Sequence, residues 1–167
     1  MTSSTAVTCT IPVSVFTASP YSLAWVSSIY VKVIATNLYG DSTESSEGNG
    51  AVITTSPDAP INLAENTSQR TKSTLGLTWS AGSSNGGASI IDYRISMAES
   101  GGAFSVLASD LVSAEYLATS LTFGTTYEFK VEARNSYGYS AYSSTTSLLC
   151  AYIPDPPATV TTTNTND

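Results

Sequence analysis

One run near the C-terminal end alternates as only a half-buried strand does. In Tyr127-Glu128-Phe129-Lys130-Val131-Glu132-Ala133-Arg134 the apolar residues hold every second place and the charges hold the others, the two-residue period of a strand. Tyr127, Phe129, Val131 and Ala133 are expected to face a core, and Glu128, Lys130, Glu132 and Arg134 to form a solvated row of mixed charge. The run continues through Asn135-Ser136-Tyr137-Gly138-Tyr139-Ser140 and has a weaker copy in Ile29-Tyr30-Val31-Lys32-Val33-Ile34-Ala35-Thr36-Asn37-Leu38-Tyr39-Gly40-Asp41-Ser42, which sets Asn37 98 residues before Asn135. That spacing is too long for a solenoid repeat and suits a small all-β module. The chain therefore reads as a piece of a tandem array.

Two proline-rich joints divide it, Pro57-Asp58-Ala59-Pro60 and Pro154-Asp155-Pro156-Pro157. Proline removes a ladder donor and fixes φ, so a doubled proline marks an edge or a joint. Between the joints lie runs at Ile61 to Glu65, Thr74 to Ser80, Ile90 to Met97, Phe104 to Ala108, Glu115 to Thr119, Thr126 to Asn135 and Ser143 to Tyr152. Glycine clusters at 82–87 and 100–102 separate some of them, and β-branched, Ser/Thr-rich stretches without a 3.6-residue period disfavour helix almost everywhere. Seven short strands with turn chemistry between them predict an immunoglobulin-like β-sandwich over residues 57–153.

Residues 1–56 read as the C-terminal half of a preceding module, with strands expected at Ile11 to Phe16, Ser28 to Thr36 and Gly50 to Thr55, and residues 154–167 as a linker and the start of a following one. A half-sandwich leaves one face of its core uncovered, at a cost of roughly 25 cal/mol per Å² of apolar surface. Tyr30 and Ile34, opposite Val31 and Val33, add apolar surface on the other side. Residues 1–56 are therefore expected to be sticky, with self-association through them, or only marginally folded, unless another chain or preceding sequence covers them.

With the repeats aligned, residues 57–153 resemble a fibronectin type III domain. The resemblance is carried by Pro57-x-x-Pro60-x-x-Leu63, Leu77-x-Trp79, Tyr93 and Leu121-x-x-Gly124-Thr125-x-Tyr127-x-Phe129-x-Val131-x-Ala133-x-Asn135-x-x-Gly138-x-Ser140. It implies that Trp79 is the central core residue, packed with Tyr93, Leu121, Tyr127, Phe129 and Val131, and that Tyr127 makes a corner hydrogen bond. The first copy has Ile29 in the tyrosine's place, so there either the corner is lost or the register has slipped by one. The phrasing of Cys9-Thr10-Ile11-Pro12-Val13-Ser14 and Val131 to Ser136 resembles the Ser/Thr-rich repeats of large ciliate surface proteins, in which Cys9 would pair with an upstream cysteine. From the residues alone, Cys9 and Cys150 are two unpaired or externally paired thiols, with a bridge between them as the alternative.

Chemistry is sparse. Histidine is absent, which removes the commonest general base and metal ligand, and the cysteines lack zinc-site or thiol-protease spacing. There is no phosphate-binding glycine motif, and Glu128 and Glu132 on a charged strand face read as a solubility and pairing device, not a glycosidase pair. No catalytic, cofactor-binding or metal-binding residue is assigned. Calcium at the joints, through Asp58, Asp155 or the Asp41, Glu44, Glu47 group, is a weaker alternative because no dense acidic run occurs. Tyr39-Gly40-Asp41-Ser42 lacks the arginine of an integrin-type tripeptide, so Gly40 and Gly138 read as turn residues. Tyr137, Tyr139 and Tyr142 are a candidate contact patch, although cross-strand packing is the preferred reading, and Asn66-Thr67-Ser68 is a glycosylation acceptor pattern.

Charged residues make up 11% of the chain, against about a quarter in an average domain, and 41% are apolar, enough for a real core. A polar but weakly ionic surface suits an extracellular or cell-surface setting. The net charge of −7, scattered along the chain, offers no basic stripe for nucleic acid, and no apolar run is long enough for membrane insertion. Met1-Thr2-Ser3-Ser4-Thr5 lacks signal-peptide character, so any signal or anchor is expected outside this stretch. The functional expectation is a non-catalytic spacer and adhesion or interaction unit whose partners are other protein modules or surface glycans. The alternative is an accessory domain of a secreted carbohydrate-active enzyme.

Overall fold

The alternating run becomes the longest strand among the described residues and the centre of the fold. The computed structural model describes residues 8–48, 50–152, 156–160 and 163. In chain order the elements are a one-turn helix α1 (Val13–Thr17), short strands β1 (Ser28–Ile29), β2 (Thr36–Asn37), β3 (Gly40–Asp41) and β4 (Ala51–Val52), then β5 (Ile61–Asn66), a 3-10 turn (Thr67–Gln69), β6 (Leu75–Ser80), β7 (Asp92–Glu99), β8 (Ser105–Leu111), β9 (Glu115–Ala118), β10 (Thr126–Arg134) and β11 (Thr146–Leu149). From residue 61 onward two antiparallel sheets stack, one ordered β11-β10-β7-β8 and the other β5-β6-β9.

Between them Leu75, Leu77 and Trp79 of β6 meet Tyr93 and Ile95 of β7 and Tyr127, Phe129, Val131 and Ala133 of β10. Phe129, Leu75, Leu77, Ile95 and Val131 are fully buried, each contributing about 1.5–3 kcal/mol through burial. Trp79 and Tyr93 pack edge to face, centroids 5.6 Å apart at 72°, which sets ring edge against ring face. The Trp79 indole N–H is buried there and finds no hydrogen-bond partner among the described residues. Leu121 closes the end of the core, and the Tyr127 hydroxyl accepts from the Thr122 amide at 3.0 Å, so a donor in a loop that no ladder reaches is satisfied. Gly76 in β6 makes room for the 3-10 turn, since a Cβ there would stand 2.4 Å from Gln69 Oε1.

Four sequence expectations are corrected. Ile11 to Phe16 contributes to a helix, not a strand: Pro12 caps it, and the Val15 and Ala18 amides bond back to Pro12 and Ser14. A strand needs a neighbour to satisfy its amides, whereas one helical turn satisfies them locally. Ser28 to Thr36 and Ser143 to Tyr152 form regular ladders only at β1, at the start of β2 and at β11, and at Val33, Ala35 and opposite Ser143 serine hydroxyls stand in for ladder carbonyls. The Val131 and Ala133 amides donate to Ser143 and Ser140 Oγ, each at 3.0 Å, in place of a carbonyl on the neighbouring strand. Finally, Glu132 is not solvated: it is 6% exposed.

The serine pattern occurs twice. Val33 and Ala35 amides donate to Ser45 and Ser42 Oγ, again at 3.0 Å, and the Ser42 and Ser45 amides return bonds to Ala35 and Val33 as Ser140 and Ser143 do to Ala133 and Val131. Ser28 pairs with Val52 and Ile29 with Ala51, as Thr126 pairs with Leu149 and Tyr127 with Leu148. Ile29 therefore occupies the tyrosine's place with the register kept, and what the first copy lacks is the corner hydroxyl.

Candidate functional site

The outer face of the four-stranded sheet carries three of the chain's six cations, Arg94, Lys130 and Arg134, and each is engaged. Register places Glu132 opposite Arg94 and Arg134 opposite Asp92 across β10 and β7. Arg94 Nε donates to Glu132 Oε2 at 2.8 Å, Arg134 Nε donates to Asp92 Oδ1 at 2.9 Å, and Arg134 also reaches Asp110 of β8 at 2.9 Å. The two carboxylates on the strands are nearly inaccessible, Asp92 at 4% and Glu132 at 6%, because aromatic rings roof the row. Tyr139 lies over Arg94 at 3.9 Å and Arg134 at 5.4 Å, and Lys130 sits between Phe104 at 4.1 Å and Tyr142 at 3.7 Å. A ring face attracts a cation electrostatically, so the roof stabilises the same charges that the carboxylates pair. Hydrogen bonding to Glu132 pushes Arg94 above the ordinary guanidinium range, and Asp92 does the same to Arg134.

The three tyrosines of the candidate contact patch thus have separate fates. Tyr139 and Tyr142, in the segment between β10 and β11, pack on strand cations of the sheet. Tyr137 is 60% exposed and has no ring or cation partner among the described residues. Asn66 ends β5, half-buried, with Oδ1 accepting from Ser68 N and Oγ. Cys9 is exposed and Cys150 buried, both free thiols; burial pushes the Cys150 thiol up, with Arg70 opposing. Asp58 accepts from the Ser84 amide and Glu44 pairs with Lys32, whereas Pro154 and Asp155 lie outside the described residues. Among the described residues no group of three or more acidic, cysteine or histidine side chains converges on one point, and no helix is long and apolar enough to cross a membrane.

A groove of about 420 Å³ beside β8 and β9 is lined by Asp110, Glu115, Tyr116 and Ser113 among others. Asp110 on its wall is held by Arg134.

A second built feature lies where the two copies meet. The Thr55 amide donates to Gly86 O at 2.9 Å, Asp58 N to Ser84 O at 2.9 Å, and Ser84 N to Asp58 Oδ2 at 2.9 Å. Asn135, 2% exposed, lies over this pairing: its Nδ2 donates to Thr55 O and Asn85 O, each at 2.8 Å, while Oδ1 accepts from Tyr137 N and Gly138 N. Gly86, with φ +70, allows the approach, since a Cβ would come within 2.2 Å of Thr55 O. Gly138 marked a turn in the sequence, and nothing local revealed that the Asn135 amide reaches back 80 residues.

The fibronectin type III domain model matches residues 58–148. Among solved structures, domains A168–A170 of titin superpose with a TM-score of 0.59 at 20% identity, over 75% of this chain and 41% of that one. The twitchin kinase region from C. elegans gives 0.53 at 26% identity, over 58% of this chain and 17% of that one. A fourth FNIII domain of human origin gives 0.55 at 20% identity, over 75% of this chain and all of that one. The chain thus spans less than half the length of the titin and twitchin chains it matches.

Proposed function

Because the chain belongs to the fibronectin type III family, matched over residues 58–148, we propose that it is a non-catalytic section of a repetitive extracellular or cell-surface protein, serving as spacer and as adhesion or protein-interaction unit. Modules of this family are generally non-catalytic. The observation that carries the tandem reading is the serine hydrogen-bond set made twice, at Ser42 and Ser45 and again at Ser140 and Ser143. On this reading residues 57–153 are one module, residues 1–56 the C-terminal half of another, and residues 154–167 a linker into a third.

The surface setting is supported by composition, since only 11% of residues are charged, and by the resemblance of the Cys9 and Val131 segments to Ser/Thr-rich ciliate surface repeats. Asn66 is the proposed glycan acceptor; its engaged Oδ1 leaves Nδ2 for the sugar. Partners are other protein modules or surface glycans, met at loop ends such as that of Tyr137, and self-association runs through residues 1–56. There Val31, Val33, Tyr30 and Ile34 are all exposed, on both sides of one strand-like segment. With three arginines in ion pairs and Lys130 between two rings, no basic stripe exists for nucleic acid.

The test is antibody labelling of intact and permeabilised cells that express the protein, with sequencing of the full transcript. Labelling of intact cells, and further copies of the module at the same spacing, are expected. Labelling only after permeabilisation refutes the surface setting, and a transcript without further copies refutes the array.

A further inference from the structure

Resting on the tandem reading above, we propose that Asn135 and the loop 84–87 form a seat for the extended linker of the preceding module, and that the chain carries the matching plug for a following copy at Ala151-Tyr152. The seat fixes the direction in which one module leaves the next. Three features distinguish it from a slack connection. The linker residue Thr55 is held on both sides of its peptide unit, its N–H by Gly86 O and its C=O by Asn135 Nδ2. Asp58, the acid of the proline-rich joint, closes a ring with Ser84 by one backbone and one side-chain bond. A Cβ at Gly87, φ +81, would come within 3.1 Å of Val52 and 3.6 Å of Val26, so the loop runs close to the base of the first copy.

The plug is repeated. Ile53 N bonds Ser27 O and Ile53 O accepts from Val26 N; Cys150 N bonds Thr125 O and Cys150 O accepts from Gly124 N. Ile53 and Cys150 are thus equivalent, both buried, and Tyr152 stands where Thr55 stands, ahead of Pro154-Asp155 as Thr55 is ahead of Pro57-Asp58. Asn37 repeats the other half: its Oδ1 accepts from Tyr39 N as that of Asn135 accepts from Tyr137 N. The seat grips its occupant through backbone N–H and C=O, so the occupant it fits is an extended segment ending in Pro-Asp, whichever side chains precede the proline.

Asn135→Asp separates the two ends of this side chain. A carboxylate still accepts from Tyr137 and Gly138 but sets negative charge against Thr55 O and Asn85 O. Amide hydrogen exchange of the intact 167-residue chain reads the result. Wild-type Thr55 and Asp58 amides are expected to be protected, and Asn135→Asp to speed Thr55 by about tenfold or more while β10 amides stay within about twofold. Thr55→Pro, which removes the donor on the linker side and touches no strand of the sandwich, is expected to speed Asp58 and Ser84 in the same way and remains decisive if Asn135→Asp unfolds the module. Thr55 exchanging at the rate of free chain in the wild type, or Asp58 and Ser84 unmoved by Thr55→Pro, overturns the seat. Either result leaves the array itself standing, since that reading falls only with the transcript.

Discussion

Replacing Ser143 with alanine tests how the second copy holds its last strand. Ser143 Oγ accepts from the Val131 amide at 3.0 Å and donates to Ser144 O at 3.0 Å, and both Val131 and Ser143 are buried. Alanine fits the space but leaves an amide of the central strand without an acceptor. A typical hydrogen bond contributes about 1 kcal/mol net, and a stranded buried donor raises the cost to about 1–3 kcal/mol, so a loss of about 2 kcal/mol is expected. At a urea slope of about 1.5 kcal/mol/M this lowers the unfolding midpoint by about 1.3 M. The assay is urea unfolding followed by circular dichroism, with Ser144→Ala as control. Ser144 is exposed, and its substitution should change stability by less than about 0.5 kcal/mol. If Ser143→Ala unfolds within that same margin, the serine is not substituting for a ladder acceptor and the account of the shortened β11 is wrong.

Arg94→Ala strands Glu132 beneath the ring roof and should destabilise by about 2–4 kcal/mol, with Glu132→Gln added in the same chain recovering part of the loss; equal stability of the single and double variants in urea titration would count against the buried pair. The Cys150 thiol is held up by burial, so the native state keeps its proton while the unfolded chain ionises; stability is full below the ordinary thiol range and falls as pH rises through it, and Cys150→Ala should flatten that decline in unfolding curves taken on either side of pH 9. A thiol reagent at neutral pH should titrate Cys9 quickly and Cys150 only on unfolding; two fast thiols would contradict the burial. The exposed Val31, Val33, Tyr30 and Ile34 should drive concentration-dependent association in light scattering that disappears when residues 1–56 are removed, and a monomer at high concentration would refute it.

The two-sheet architecture and most of its core were legible because their signals are local. Alternation along Tyr127 to Ala133 names the residues on one side of a strand, and the turn residues around it mark where the strand stops. Trp79, Tyr93 and Leu121 came from the family pattern and lie in the same core. The segment Ile11 to Phe16 misled because its β-branched composition suits a strand, while strand formation depends on a partner that composition does not report.

Period says which side a residue takes, never what covers that side. Glu132 has the sequence signature of a surface residue, and Arg94, 38 positions away, together with Tyr139 makes it a buried one. Asn135 was readable as the end of the sixth run, but its amide is claimed by Thr55, reachable only once two sheets have stacked and the linker has crossed the loop at Gly86. Strand identity and core membership follow from interactions between neighbours in the chain, so the order of residues determined them. The roofed charge row and the joint follow from contacts across many tens of residues, whose energies exist only after the chain has closed on itself, and tertiary structure alone decided those.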